Sequence, residues 1–195
     1  MINESEAGVM KTIGLLGAQG RIGTTTQALQ ITGFLMSMGY DTAYMEMGNQ
    51  NYVDELKNVY KNLEEKDKAL ICGEISVYKS EHILEVNRKN FDYMVKDYGH
   101  YEGQNLLLSS FFEQDIKIIV GGVKANEMDY LENILKYSWR KDVKFLFSFV
   151  APEEQQDIKG QMLEYQVDSY FSTYAPNPFE YNQVMKEVYS CLLAD

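Results

Sequence analysis

The stretch Gly17-Ala18-Gln19-Gly20-Arg21-Ile22-Gly23-Thr24-Thr25-Thr26 has the residue types and spacing best suited to chemistry. Its glycines let the backbone turn tightly and gather N–H groups on one side. A helix starting at the threonines adds the partial positive charge of its N-terminus, and together these form a cradle for phosphate. A threonine at the helix start can hold Mg²⁺ and also cap the helix. The usual phosphate loop sets a lysine directly before its first threonine. Here Gly23 stands in that place, and Arg21 is the only cation of the loop. The loop alone leaves a second reading open: a glycine-rich turn with threonine caps and no ligand.

Two acidic residues fall where such a loop would need them. Glu46 lies in Met45-Glu46-Met47-Gly48-Asn49-Gln50, and Asp97 in Tyr93-Met94-Val95-Lys96-Asp97-Tyr98-Gly99. An acid at a strand end beside a phosphate loop can hold Mg²⁺ through water or orient an attacking water. Plainer roles compete: a salt bridge at the sheet edge for Glu46, and a turn former or helix cap for Asp97. Lys96 neighbours Asp97 on a strand, so its side chain points to the opposite face.

These residues need a scaffold, and the chain supplies short apolar runs alternating with amphipathic stretches. Strands are expected at Thr12 to Leu16, Thr42 to Met47, Phe91 to Val95, Ile116 to Val120, Val143 to Val150 and Ser169 to Thr173. One or two short strands are expected within Ala69 to Val77. Helical spacing marks Thr25 to Met38, Asp54 to Leu63, Asn105 to Phe112, Glu127 to Trp139, Glu153 to Leu163 and Phe179 to Leu193. Strands that alternate with helices and read as continuous apolar runs predict a parallel sheet covered on both faces. The predicted fold is therefore α/β, a three-layer, doubly wound, mostly parallel sheet. Residues 10–195 form one domain behind a flexible N-terminus, residues 1–9. Ligands of such sheets sit beyond the carboxyl ends of the strands, where the loop and both acids fall.

With these segments quoted, the chain resembles the ParA/MinD group of P-loop ATPases, and within it the divergent branch related to TadZ and CpaE. The group's loop reads GKGGxGKTT. Its second strand ends in an Asp-x-Asp segment often followed by Pro-Gln, and its Walker B strand reads like YDYIIID. The resemblance spans nearly the whole chain. It implies that Gly17, Ala18, Gln19, Gly20, Arg21, Ile22, Gly23, Thr24 and Thr25 bind the nucleotide and that Thr24 and Asp97 hold the metal. It implies that Glu46 and Asp97 serve catalysis and that Gln50 stands at the trailing Gln. In that register Ala18 and Gly23 occupy the two lysines, while Glu46 and Gly48 replace two aspartates. Phosphoryl transfer depends on positioning and electrostatic stabilisation, and one lost oxyanion donor costs roughly 3 to 4 kcal/mol. Rapid hydrolysis is not expected, although backbone N–H groups and Mg²⁺ could still bind ATP or ADP. The missing lysines also leave open a chain that binds neither.

Composition narrows the partners. Net charge is −11 over 195 residues, without a dense basic cluster, which disfavours nucleic acid. Two cysteines and two histidines give neither a disulfide framework nor a zinc pattern. No apolar run approaches the ~20 residues of a bilayer span, and the N-terminus lacks a secretory pattern. The closing helix carries Tyr181, Val184, Met185, Val188, Tyr189, Leu192 and Leu193 on one face, with Lys186 as its only cation. Core packing suits that face better than a membrane surface. The expectation is a cytoplasmic pseudo-ATPase scaffold, plausibly a homodimer, with a protein partner in a pilus, secretion or partition machine. The alternative is an active Mg²⁺-dependent ATPase in which Arg21 or a partner's residue replaces the lysines.

Overall fold

The computed structural model describes residues 9–48, 50–101 and 107–194. The expected flexible segment up to Gly8, and the first two residues of the helix expected at Asn105, lie outside them. Nine strands form one sheet: β1 (Lys11–Gly17), β2 (Thr42–Glu46), β3 (Glu64–Lys66), β4 (Ala69–Cys72), β5 (Ile75–Lys79), β6 (Tyr93–His100), β7 (Ile116–Gly121), β8 (Lys144–Ser148) and β9 (Ser169–Ser172). Their spatial order is β3-β4-β5-β2-β6-β1-β7-β8-β9. All neighbours from β5 through β9 are parallel, while β3 and β4 add an antiparallel margin. The short outer strand β3 is fully charged and exposed, which discourages another chain from pairing with it.

The sheet is covered on both faces. On one face, α1 (Thr24–Ser37), α2 (Tyr52–Val59) and α7 (Lys186–Leu192) pack onto Ile13, Leu15, Tyr44, Val95, Ile118 and Val120. On the other, α3 (Ile83–Val86) packs with Met45, Tyr78 and Met94, and α4 (Leu107–Phe112), α5 (Met128–Leu135) and α6 (Gln155–Glu164) pack with Leu16, Tyr98, Ile119 and Phe145. Each fully buried aliphatic of the central strands contributes about 1.5–3 kcal/mol. The three-layer, doubly wound α/β architecture is as the alternation of elements predicts.

Three differences from the sequence reading have local causes. The run expected to end at Val95 continues to His100, so Asp97 sits inside β6 rather than after it. β6 is hydrogen-bonded on both sides, by β1 and β2, and those ladders hold residues that alone read as a turn. Gly99, at φ 74°, absorbs the irregularity where the β1 register slips between Leu15 and Gly17. The expected closing helix begins late: a turn spans Asn177 to Glu180, where the Glu180 N–H donates to the Asn177 carbonyl, a short 3₁₀ turn follows at Gln183–Met185, and α7 starts at Lys186. Pro176 and Pro178 hold Ala175 and Asn177 out of the helical region. Buried Gln30 also pins the segment: its Nε2, with two hydrogens, lies within reach of the carbonyls of Asn177, Pro178 and, at 2.7 Å, Glu180, and its Oε1 accepts the Asn182 N–H. Finally, α2 ends at Val59 rather than running to Leu63, and Glu64–Lys66, for which the sequence suggests no element, is strand β3.

Candidate functional site

The loop after β1 lies where the chain leaves the central strand, between β6 and β7. Gly17 ends β1 because no side chain fits there: a Cβ would lie 2.3 Å from Thr24 Oγ1. The Ala18 N–H still joins the sheet, donating to the Val120 carbonyl at 2.8 Å. Ala18 and Ile22 turn their side chains into the core, each 2% exposed. Gly23 takes φ 96° at the start of α1, a conformation glycine adopts without strain. Arg21 also has positive φ, 62°, and is exposed at the loop tip. The turn at Gly20-Arg21 engages the Ile22 N–H, and among the described residues the backbone N–H groups of Gln19, Gly20, Arg21 and Gly23 to Thr26 form no hydrogen bond within the chain. They border an open cleft of about 640 Å³ lined by Gln19, Gly20, Arg21, Gly23, Thr24, Thr25, Thr26, Gln50, Tyr52, Glu55, Gly99 and His100. A row of free amides at the N-terminus of a fourteen-residue helix has the donor geometry and partial positive charge that suit an anion.

Beneath the loop lies a closed acid cluster. Asp97, 1% exposed, accepts the Thr25 hydroxyl at 2.5 Å and the Tyr44 hydroxyl at 2.9 Å on one oxygen, and the Gly99 N–H at 2.9 Å on the other. Burial raises the Asp97 carboxyl above its ordinary range, opposed by these three donors. Burial likewise raises Tyr44, and the Asp97 charge adds to it. Gln50 lies against Gly99, where any Cβ would collide with its side chain, and its carbonyl oxygen stands 3.3 Å from Thr25 Oγ1. Thr25 has one hydroxyl hydrogen, so the shorter Asp97 contact is the bond.

Glu46 pairs with Asp97 in register across β2 and β6, but its carboxylate turns to α2. Its two oxygens accept the N–H groups of Tyr52 at 2.6 Å and Val53 at 3.2 Å, capping that helix. Burial raises its carboxyl, with the two amides opposing. Lys96 lies buried on the far face, its ammonium lowered by burial, with Glu113 and Asp115 as the carboxylates acting on it.

A second, smaller cavity of about 60 Å³ adjoins Gly23 and Thr26 on the other side of the loop. The ends of β8 and β9 bring Ser148, Phe149, Ser172 and Tyr174 to it. Phe149 and Tyr174 are exposed aromatics, and Phe149 is held at φ 61° with the Lys124 ammonium 5.7 Å from its ring centre. Among the described residues, no three His, Cys, Asp or Glu side chains gather as metal ligands. A cation here would need Thr25, Asp97 and the ligand's own oxygens, as Mg²⁺ sites often do.

The structure brings the loop, Thr25, Gln50 and Asp97 together. It sets Glu46 at the helix cap, and it places Thr24 Oγ1 under Gly17 rather than beside Asp97. Tyr44, His100 and Phe149 are additions. Nothing in the sequence singles out Tyr44, but β-strand alternation puts it on the Asp97 face. His100 belongs to the site only because β6 runs past Asp97.

No family model matches the chain, and no curated protein does. Solved structures do. A putative plasmid partition protein from Borrelia burgdorferi, bound to AMPPNP, is 14% identical with a TM-score of 0.63 over 95% of this chain and 97% of that one. MinD of Aquifex aeolicus, in its complex with MinC, is 12% identical with a TM-score of 0.62 over 85% and 82%. The signal recognition particle receptor FtsY from Elizabethkingia anophelis, with GDP, is 12% identical with a TM-score of 0.62 over 100% of this chain and 67% of that one. The fold is thus that of the ParA/MinD-type P-loop nucleoside-triphosphatases.

Proposed function

We propose that the chain is a nucleotide-binding domain of the ParA/MinD kind that holds ATP or ADP through backbone N–H groups and hydrolyses ATP slowly or not at all. The free amides between Gln19 and Thr26, all but that of Ile22, carry this reading. Thr25 and Asp97 would hold Mg²⁺, which supplies charge neutralisation at the phosphates. The aromatic pair Phe149 and Tyr174 would flank the base beside Gly23.

The Thr25–Asp97 contact supports a loop register one residue later than the sequence resemblance implies. Thr25 then takes the metal-binding threonine, Thr24 the lysine before it, and Gln19 the group's first lysine. In either register the loop has no ammonium group. With Glu46 committed to α2, the acid left to serve the phosphates is Asp97. Such a site favours binding over turnover. The chain then acts by protein contact, as a homodimer and a scaffold in an assembly, pilus or partition machine, and the acidic charge argues against DNA.

Calorimetric titration with ATP and Mg²⁺, run beside a phosphate-release assay, tests the reading. Saturable binding with turnover no higher than that of Thr25→Ala is expected. Brisk turnover abolished by Asp97→Ala would favour a working ATPase instead, and silent titrations would end the nucleotide reading.

A further inference from the structure

Among the described residues lining the cleft, only Arg21 and His100 can carry positive charge. Arg21 sits at the exposed loop tip on a flexible stem. His100 is held by backbone on both sides of the loop base. It pairs in register with Gly17, where the loop begins, and the next residue, Tyr101, donates its N–H to the Gly17 carbonyl at 2.8 Å. This extension of β6 lays the half-buried imidazole against the crest of the loop. A Cβ built on Gly20 would meet its Cε1 at 3.7 Å and both ring nitrogens at 3.8 Å. An anion cradled by the amides of this loop would lie beside that ring. Among the described residues, Glu55 lines the same cleft from α2, and Asp97 lies three residues earlier with its oxygens bonded to Thr25, Tyr44 and Gly99.

We propose that His100 supplies the positive charge the loop lacks, contacting the terminal phosphate of a bound nucleotide as an imidazolium. The proposal rests on the nucleotide-binding reading above. A fixed lysine would bind phosphate equally over the neutral range, whereas an imidazole changes charge near pH 6.5. On this proposal, phosphate affinity should weaken as the imidazole loses its proton. By linkage, a phosphate that prefers the imidazolium must make His100 hold its proton more tightly.

The chain has only two histidines, His82 and His100, so their imidazole proton resonances can be followed separately, with His82→Gln for assignment. We expect saturating AMPPNP with Mg²⁺ to raise the His100 titration midpoint by about one pH unit, equivalent to tenfold in affinity, and to leave His82 unmoved. Calorimetry between pH 6 and 8 gives the second readout. His100→Gln should bind AMPPNP about tenfold more weakly than wild type at pH 6 and converge with it at pH 8. His100→Lys should keep the pH 6 affinity throughout. Measurable binding with an unmoved His100 resonance and equal pH slopes in wild type and His100→Gln would overturn the role of His100 while leaving the nucleotide reading intact. Silent titrations at every pH, with resonances unchanged, would remove both.

Discussion

The two halves of the site differ in what they have left to offer. In the loop from Gln19 to Thr26, seven backbone donors, all but that of Ile22, are free of bonds to the described residues. In the acid cluster below, nearly everything is taken: Asp97 has three donors and Glu46 has two helix amides. The upper half keeps its donors free, and the lower half commits its acceptors to the fold. A catalytic phosphate site needs both halves free to respond to developing charge. Here the responsive part is the backbone, and the carboxylates mainly hold the elements in place.

That contrast can be broken by substitution. Asp97→Ala removes the acceptor of three buried donors and should cost about 3 kcal/mol in urea unfolding, whereas Arg21→Ala should cost less than about 0.5 kcal/mol. Equal, small effects would mean that the acid cluster is not structural. The missing ammonium sharpens the contrast next. Thr24→Lys places it where the Thr25–Asp97 contact sets the register and should strengthen ATP binding about tenfold, near 1.4 kcal/mol. Gly23→Lys puts it where φ is 96°, and should instead cost about 1–2 kcal/mol of stability without improving affinity. The opposite outcome would restore the earlier register.

The smallest expected effect is the pH trend of Glu46. Its folded carboxyl titrates above the unfolded one, so the buried charge opposes folding at neutral pH, and that penalty fades as pH falls through the folded value. The melting temperature of wild type relative to Glu46→Gln should therefore rise as pH falls through the folded carboxyl's titration and level off below the unfolded range. A falling difference would contradict the burial assigned to this carboxylate.

Much of this was legible in the residues. The run Thr12 to Leu16, the glycine-rich bend and the threonines name a strand, a loop and a helix start, because glycine and helix-capping chemistry act locally. The strand ending at Glu46 was legible too, for the same reason. What could not be read there depends on partners distant in sequence. Residues Asp97 to Gly99 look like a turn, and only pairing with β1 and β2 on both sides makes them strand and brings His100 to the loop. Glu46 reads as an acid beside a phosphate loop, and only the position of α2 turns it into a cap. The choice between Thr24 and Thr25 rests on a helical phase of one residue, which a run of three threonines hides.

The central claim is that free amides of the loop, without a lysine, hold the phosphates. Backbone amide resonances followed during titration with ADP and Mg²⁺ test it most directly. The account predicts that the largest saturable shifts fall on Gln19 to Thr26, and that Thr12 to Leu16 in β1 stay nearly still. Saturable binding whose shifts fall elsewhere, with the loop amides unmoved, would contradict it.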